Sequence, residues 1–177
     1  MEQIKCVVIG AAKSGKRSLI IRYVDDSFTT KRLNSVTNSW VKSKSVGETP
    51  VFLGIWDTQQ GEELDNLQRE ILVPSTNVYI ICVSLESGGD LASILEELQF
   101  STLLNNTSIP LLLVGTKSDL MKSDLEIGAE GPEFLQCSAL SGEGVGKVFE
   151  RAMELGLEHC LRKKRKVEKR KKTCSIL

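Results

Sequence analysis

The segment Gly10-Ala11-Ala12-Lys13-Ser14-Gly15-Lys16 decides the fold of this 177-residue chain. It follows an apolar run, Ile4–Ile9, that predicts a buried strand, and it precedes a stretch with helical spacing. Two glycines at this spacing, with a lysine directly after the second, are typical of a phosphate-binding loop. In such a loop, backbone N–H groups and the positive end of the helix face the phosphates, and Lys16 reaches the terminal ones.

The residue that follows this lysine departs from the pattern. The motif has a Ser or Thr there, whose hydroxyl binds Mg²⁺, whereas this chain has Arg17. Ser18 is no substitute, because one step along a helix turns a side chain by about 100°. The sequence therefore predicts a site that holds a nucleotide and is poorly equipped to hold its metal.

Apolar runs alternate with helical patterns along most of the chain. Val78–Ser84 and Leu111–Gly115 are continuously apolar, which is typical of parallel strands buried on both faces. Trp40–Val46 and Val51–Trp56 predict an antiparallel hairpin that turns at Gly47-Glu48. The alternation predicts a doubly wound α/β domain that binds its ligand beyond the carboxyl ends of the strands. The remaining predicted elements are a helix at Lys16–Val24, a helix at Leu91–Leu104, a strand at Phe134–Cys137 and a terminal helix from Val145.

The formal net charge of zero hides a segregation of charge. Between Arg162 and Lys172 lie nine Lys or Arg residues and one acid, which leaves 14 basic and 22 acidic residues elsewhere, a net charge of −8. We therefore predict a domain over residues 1–161 and a polybasic tail over 162–177 that meets a polyanion. The sequence has no signal peptide and no apolar run near the roughly 18 residues that cross a bilayer, so we expect no spanning segment.

The cysteines and the histidine suggest no further chemistry. Cys6, Cys82 and Cys137 lie in or at the end of apolar runs, no C-x-x-C spacing occurs, and we expect reduced thiols in a cytosolic or nuclear compartment. The sole histidine, His159, is predicted to be an ordinary surface or boundary residue.

Two further segments are candidates for binding the base of the nucleotide. Thr116-Lys117-Ser118-Asp119 follows the run Leu111–Gly115, and Cys137-Ser138-Ala139-Leu140 follows the last predicted strand. With the phosphate loop and Leu53–Thr58, these segments make the chain resemble the Rho family of Ras-like small GTPases over nearly its whole length. The resemblance implies a Ras-like P-loop NTPase fold: a mostly parallel six-stranded sheet with one antiparallel edge hairpin and helices on both faces.

The same resemblance assigns the nucleotide contacts. It implies that Asp119 accepts hydrogen bonds from guanine, that Lys117 covers the base, that the Ala139 N–H contacts the guanine oxygen and that Phe28 packs against the base edge. A carboxylate at this position rejects adenine, whose groups would leave buried polar atoms unpaired. The candidate nucleotide-binding residues are Gly10, Ala12, Lys13, Ser14, Gly15, Lys16, Arg17, Ser18, Phe28, Ser35, Thr116, Lys117, Asp119, Ser138, Ala139 and Leu140.

The metal-binding positions are only partly kept. Asp57 and Ser35 stand where the family has its metal-linked aspartate and threonine, so Mg²⁺ is possible but weakened. We considered two positions for Arg17. Its guanidinium either takes the place of the metal as a tethered cation paired to Asp57, or it points to solvent.

The catalytic positions are degenerate. The family's D-T-A-G-Q-E becomes Asp57-Thr58-Gln59-Gln60-Gly61-Glu62. An ungapped alignment places Gly61 at the water-positioning glutamine, and a shifted alignment places Glu62 there. Neither residue orients water beside a phosphate, and the methyl group of Ala12 crowds the same place. Whether the chain is an enzyme stays open, and we expect GTP hydrolysis to be very slow.

Partner specificity cannot be transferred from the family. Five effector-loop residues differ, and the Rho insert helix is missing, because only 17 residues separate Asp119 from Cys137 and leave at most a turn near Ser123–Ile127. The resemblance implies two switch loops, the first containing Ser35 and the second following the segment Leu53–Thr58. It implies effector and regulator proteins at these switch loops and no nucleic-acid partner. The main alternative is a pseudo-GTPase scaffold without nucleotide switching, and a P-loop kinase is disfavoured by Asp119.

The chain ends Cys174-Ser175-Ile176-Leu177, which fits the C-a-a-X prenylation signal, and a terminal leucine favours a geranylgeranyl group on Cys174. One prenyl chain anchors reversibly, and the basic run supplies the second signal at about 1 kcal/mol per residue near anionic lipid. We therefore predict lipid anchoring at the cytoplasmic face of the plasma membrane. The alternatives for the basic run are a solvated helix end and a nuclear-localisation segment.

Overall fold

A computed structural model describes residues 2–28, 39–58, 75–86, 108–121 and 133–174, with side chains to residue 168. In chain order the elements are β1 (Glu2–Ile9), α1 (Lys16–Asp25), β2 (Ser39–Val46), β3 (Thr49–Asp57), β4 (Val78–Ser84), β5 (Leu111–Thr116), a 3₁₀ turn (Ser118–Leu120), β6 (Phe134–Gln136) and α2 (Val145–Cys174). The described strands form one sheet in the order β2-β3-β1-β4-β5-β6, in which β2 and β3 are antiparallel and the other pairs are parallel. The six-stranded, mostly parallel sheet with an antiparallel edge hairpin is confirmed.

The centre of the sheet places the phosphate loop. β1 lies between β3 and β4, and Cys6 pairs with Ile55 on one side and with Val78 on the other. At the carboxyl end of the same ladder, Val8 pairs with Asp57. Because the chain turns from β1 into α1 at this edge, Asp57 is brought beside the phosphate loop although it lies some 40 residues further along the chain.

Both described helices pack on the same face of the sheet. They share one core cluster with β1 and β3, in which the rings of Tyr23 on α1 and Phe149 on α2 stack with centroids 4.1 Å apart. Among the described residues, helices therefore cover one face of the sheet, and no described residue tests the predicted helices on the other face. The predicted helix Leu91–Leu104 and the turn near Ser123–Ile127 lie outside the described residues.

The described cysteines behave as small apolar residues, as predicted. Cys6, Cys82 and Cys137 are buried and free. Burial raises the pKa of the Cys137 thiol to about 12 and that of Cys82 well above its ordinary value. These thiols therefore stay protonated at neutral pH.

The C-terminal helix α2 is buried along its first part and exposed along its basic part. His159 is only 2% exposed, so its placement at the surface was wrong. It continues the apolar stripe of Phe149 and Ala152 at helical spacing, and burial lowers its pKa. From Leu161 to Glu168 every residue is exposed, so the basic part of α2 lies outside the core. None of the described helices is both long enough and apolar enough to span a bilayer.

Two glycines on α2 provide a test of how this helix packs. A Cβ atom on Gly156 would lie 2.5 Å from Ile4 Cγ2, whereas one on Gly146 would meet nothing within 4 Å. We expect Gly156→Ala to lower the free energy of unfolding by about 1–2 kcal/mol, because Ile4 is buried and cannot give way freely. Gly146→Ala should raise it by about 0.5 kcal/mol through helix propensity. Urea denaturation of both variants measures the difference, and two changes of the same sign would contradict this packing.

Candidate nucleotide-binding site

The phosphate loop leaves β1 in a conformation that requires glycine. Gly10 has φ +152°, and a Cβ atom there would lie 2.3 Å from the carbonyl oxygen of Cys82 on β4. The loop therefore crosses the neighbouring strand at backbone contact distance. Gly15 ends the loop in a left-handed conformation, at φ +83°, and immediately precedes the first helical residue.

Lys16 lies beneath this loop. It is only 8% exposed, and its Nζ donates to the carbonyl oxygens of Gly10 at 2.7 Å and Ala11 at 2.8 Å. Burial lowers the pKa of Lys16, and the nearby Asp57 carboxylate acts in the opposite direction. Ser14 Oγ is buried close by and has no hydrogen-bond partner among the described residues. The loop thus encloses a cation whose present partners are loop carbonyl oxygens.

Arg17 points to Asp57 and not to solvent. Its Nε donates to Asp57 Oδ2 at 3.0 Å, and its guanidinium carbon lies 6.0 Å from the centroid of the Trp40 ring. The Asp57 side chain is 5% exposed and that of Arg17 is 25% exposed. Burial raises the pKa of Asp57, and Arg17 and Lys16 partly offset that rise. Of the two positions considered from the sequence, the structure has the one in which the guanidinium pairs with the carboxylate.

The described donor atoms fit Mg²⁺ poorly. Mg²⁺ prefers near-octahedral oxygen ligands at short distances. Here one carboxylate oxygen of Asp57 already accepts from Arg17, and only Oδ1 is without a partner among the described residues. The part of the chain that the structure describes contains no cluster of three or more His, Cys, Asp or Glu side chains that could hold a metal ion. Ser35, the other predicted ligand, lies outside the described residues.

A cavity of about 300 Å³ adjoins the phosphate loop at the carboxyl ends of the strands. Its walls come from α1, from the segment after β5 and from the segment after β6. The residues that line it are Gly15, Ser18, Leu19, Phe28, Thr116, Lys117, Asp119, Leu120, Cys137, Ala139 and Leu140. Eight of the predicted nucleotide-binding residues therefore share one cavity, with the phosphate loop at one end.

Asp119 is held in place at the far end of this cavity. It lies in the 3₁₀ turn Ser118–Leu120, and its Oδ1 accepts a hydrogen bond from Ser138 Oγ. Ser138 Oγ in turn accepts from the Ser141 N–H at 3.2 Å. The Ser138 hydroxyl therefore orients the Asp119 carboxylate at this end of a largely apolar cavity. There the carboxylate can accept two hydrogen bonds from a ligand that presents two donors along one edge.

Thr116 connects the base end to the phosphate end. Its Oγ1 lies 2.6 Å from the carbonyl oxygen of Ser14 and 3.0 Å from that of Val83. The side chain is buried, so these contacts are shielded from water. Thr116 thereby fixes the distance between the loop that faces phosphates and the turn that bears Asp119.

Glu86 is a residue of this region that sequence reasoning missed. It forms an ion pair with Lys117, which the resemblance assigned to the face of the base. The two residues are brought together because Leu85 N donates to the carbonyl oxygen of Thr116 at 2.9 Å, just beyond the paired ends of β4 and β5. An acid two residues after the strand Val78–Ser84 was the only signal available.

The remaining predicted residues are placed as follows. Phe28 lies at the rim of the cavity, and Leu140 is 56% exposed there. Ala12 and Lys13 are exposed on the phosphate loop and do not line the cavity. Gly61 and Glu62 lie outside the described residues, as does the side chain of Cys174.

Fold and site together define a P-loop nucleotide-binding domain whose base end carries a fixed carboxylate. The family model described as Ras family matches residues 5–157. The chain is 33% identical over 194 residues to the GTP-binding protein RHO1 of Candida albicans, covering 98% of this chain and 95% of that protein. It is 29% identical over 187 residues to the Rho-related GTP-binding protein RhoV of Homo sapiens and to that of Bos taurus, covering 93% of this chain and 78% of each relative.

The chain therefore belongs to the Ras family of small GTPases, and within it to the Rho-related proteins. Members of this family bind guanine nucleotides, which agrees with the class of site that the geometry defines.

Proposed function

We propose that this protein is a membrane-tethered Rho-like switch that binds GTP and GDP and hydrolyses GTP very slowly. The observation that carries the proposal is the cavity of about 300 Å³ that extends from Gly15, at the end of the phosphate loop, to Asp119. One end adjoins the phosphate loop, which encloses the buried Lys16 ammonium, and the other has an oriented carboxylate. A nucleoside phosphate with two donors on its base edge has the matching polarity at both ends.

Slow hydrolysis follows from what the catalytic positions contain. Neither Gly61 nor Glu62 can hold water as a glutamine does, and Ala12 adds a methyl group on the phosphate loop. With no efficient hydrolysis step, exchange of GDP for GTP would control the state of the switch. The switch loops would then meet effector and regulator proteins for long periods after each loading.

Membrane tethering is supported by the charge and exposure of the C-terminal helix. The basic part of α2 lies outside the core, and its exposed basic residues include Arg162, Lys163, Arg165 and Lys166. Lys164 is also exposed, and its Nζ pairs with Glu2 of β1 at 2.7 Å. The rest of the chain carries a net charge of −8, which an anionic leaflet repels. The basic helix would therefore face the lipid, next to a prenyl group on Cys174.

The second candidate is a pseudo-GTPase scaffold. The ion pair between Arg17 and Asp57 favours it, because it consumes the acceptor that the family uses toward its metal. In that case the switch loops would present one fixed surface to their partners. The retained contacts around Lys16 and Asp119 favour a protein that still takes up nucleotide.

Nucleotide occupancy separates the two candidates. The full chain is purified without added nucleotide, denatured, and the extract is resolved by anion-exchange chromatography. We expect GTP or GDP, and single-turnover hydrolysis of loaded GTP slower than about 10⁻⁴ per second. An empty extract together with no uptake of GDP in excess would refute the proposal and support the scaffold. Adenine nucleotides at comparable occupancy would contradict the role of Asp119.

A further inference from the structure

We propose that the Arg17 guanidinium takes the place of the divalent metal ion in the phosphate subsite, so that this protein holds guanine nucleotide with Lys16 and Arg17 as its cations. The inference rests on the proposed nucleotide binding and adds to it the charge that stabilises the phosphates. It assigns to a residue of the chain a role that a metal ion performs in related sites.

Arg17 lies at the start of α1, beside the phosphate loop. It is the second residue of α1 and directly follows Lys16, so both cations emerge from the helix end that faces the phosphate loop. The guanidinium carries its charge at every physiological pH and has five N–H donors in a fixed plane. Phosphate oxygens are the acceptors that this fork matches.

The guanidinium is also held in place. On one side it donates to Asp57 Oδ2, a carboxylate that is itself nearly buried. On the other it lies 6.0 Å from the Trp40 ring, within the range of a cation–π contact. A charge fixed before the ligand arrives costs little conformational entropy when it binds.

The local charge agrees with this role. Lys16, Arg17 and Asp57 together carry a net charge of +1 at the phosphate end, before any ligand binds. A magnesium ion in place of Arg17 would bring that sum to +2. The tethered cation therefore compensates the phosphates less completely, and we expect weaker nucleotide binding than a metal-loaded site would give.

The same geometry disfavours a dication. An approaching metal ion would meet the guanidinium that already pairs with Asp57, and like charges at this distance repel strongly outside bulk water. Asp57 Oδ1 is the one oxygen of the pair without a partner among the described residues, and a single acceptor is far from an octahedral set. Arg17 and Mg²⁺ are thus alternatives at this position.

The test is the rate of GDP release from the full chain, loaded with fluorescently labelled GDP and chased with unlabelled GDP. It is measured with magnesium in excess and with EDTA in excess. We expect the wild-type rate to change by less than about twofold between the two conditions. Arg17→Thr restores the hydroxyl of the motif. Release of GDP from this variant should be about tenfold or more faster in EDTA than in magnesium, as loss of one charge-assisted contact predicts.

Arg22→Thr is the matched control. Arg22 lies on the same helix but contacts Asp26 and the Ser141 carbonyl, away from the phosphate loop. This variant should release GDP at a rate as insensitive to EDTA as the wild type. The comparison shows whether the effect of Arg17→Thr depends on the position of the lost charge or only on the loss of any positive charge from α1.

Each outcome decides a different claim. Wild-type release accelerated tenfold or more by EDTA overturns the inference while leaving nucleotide binding intact, and it needs no variant. An Arg17→Thr protein as indifferent to EDTA as the wild type also overturns it. Wild-type protein that takes up no GDP in either condition overturns the proposed function itself, and the inference with it.

Discussion

Replacing Asp119 by Asn is expected to lower the affinity for GDP by at least about 100-fold and to raise the affinity for xanthosine diphosphate (XDP). Guanine presents two donors, N1–H and its amino group, to a carboxylate that accepts both. An asparagine amide has one acceptor and one donor, so its N–H₂ would face the guanine amino group. Xanthine has a carbonyl oxygen in place of that amino group and would restore both hydrogen bonds.

The local structure favours survival of the fold in this variant. Ser138 Oγ donates to Asp119 Oδ1 and can also donate to an amide oxygen, although without the carboxylate's charge, which would orient the new side chain. Equilibrium titration with labelled GDP and XDP measures the change. Asp25→Asn is the matched control, since Asp25 is exposed at the end of α1 and should leave both affinities unchanged. Equal loss of both nucleotides would contradict recognition of the base by Asp119.

The architecture was predictable because buried strands are continuously apolar in sequence and because strand patterns alternate with helix patterns along the chain. The run Val78–Ser84 was predicted with the bounds that β4 has, since every residue up to Val83 is buried between two neighbouring strands. The hairpin turn at Gly47-Glu48 also stands where predicted. The other strand ends differ from the prediction by at most two residues. They differ because the pairing of a terminal residue depends on the neighbouring strand as well as on its own side chain.

The phosphate loop was predictable for a different reason. Its glycines are required by backbone geometry, as the 2.3 Å approach to the Cys82 carbonyl oxygen at Gly10 makes clear. A residue type demanded by backbone contact is visible in the sequence even when its partner strand is not. The residues expected at the base were assigned through the family resemblance, on the segments Thr116–Asp119 and Cys137–Leu140.

Side-chain destinations were less predictable. The sequence left Arg17 with two positions, and only the pairing of Val8 with Asp57 brings the carboxylate within its reach. The ion pair of Glu86 with Lys117 likewise depends on two strand ends being adjacent. His159 was misplaced because its ring was judged by residue type, whereas its register on the helix follows the buried stripe.

Cys174→Ser is expected to move the protein from a stably membrane-bound to a mostly soluble fraction. Loss of the prenyl group removes about 0.8 kcal/mol for each methylene that would lie in the bilayer, a sum that amounts to several orders of magnitude in partitioning. What remains is the basic segment Arg162–Lys172, whose attraction to anionic lipid falls within a Debye length and weakens with salt. Residual binding should therefore disappear at high ionic strength.

Fractionation of cells that express the full chain, repeated at low and high salt, measures this change. Cys160→Ser is the control, because Cys160 lies on the same helix but outside the C-a-a-X signal. It should leave membrane binding unchanged. A Cys174→Ser variant that stays on membranes at high salt would contradict lipid anchoring. If the variant leaves membranes and collects in the nucleus, the basic helix is an import signal that the prenyl group normally overrides, because one run of exposed lysines and arginines can meet either polyanionic lipid or an acidic transport receptor.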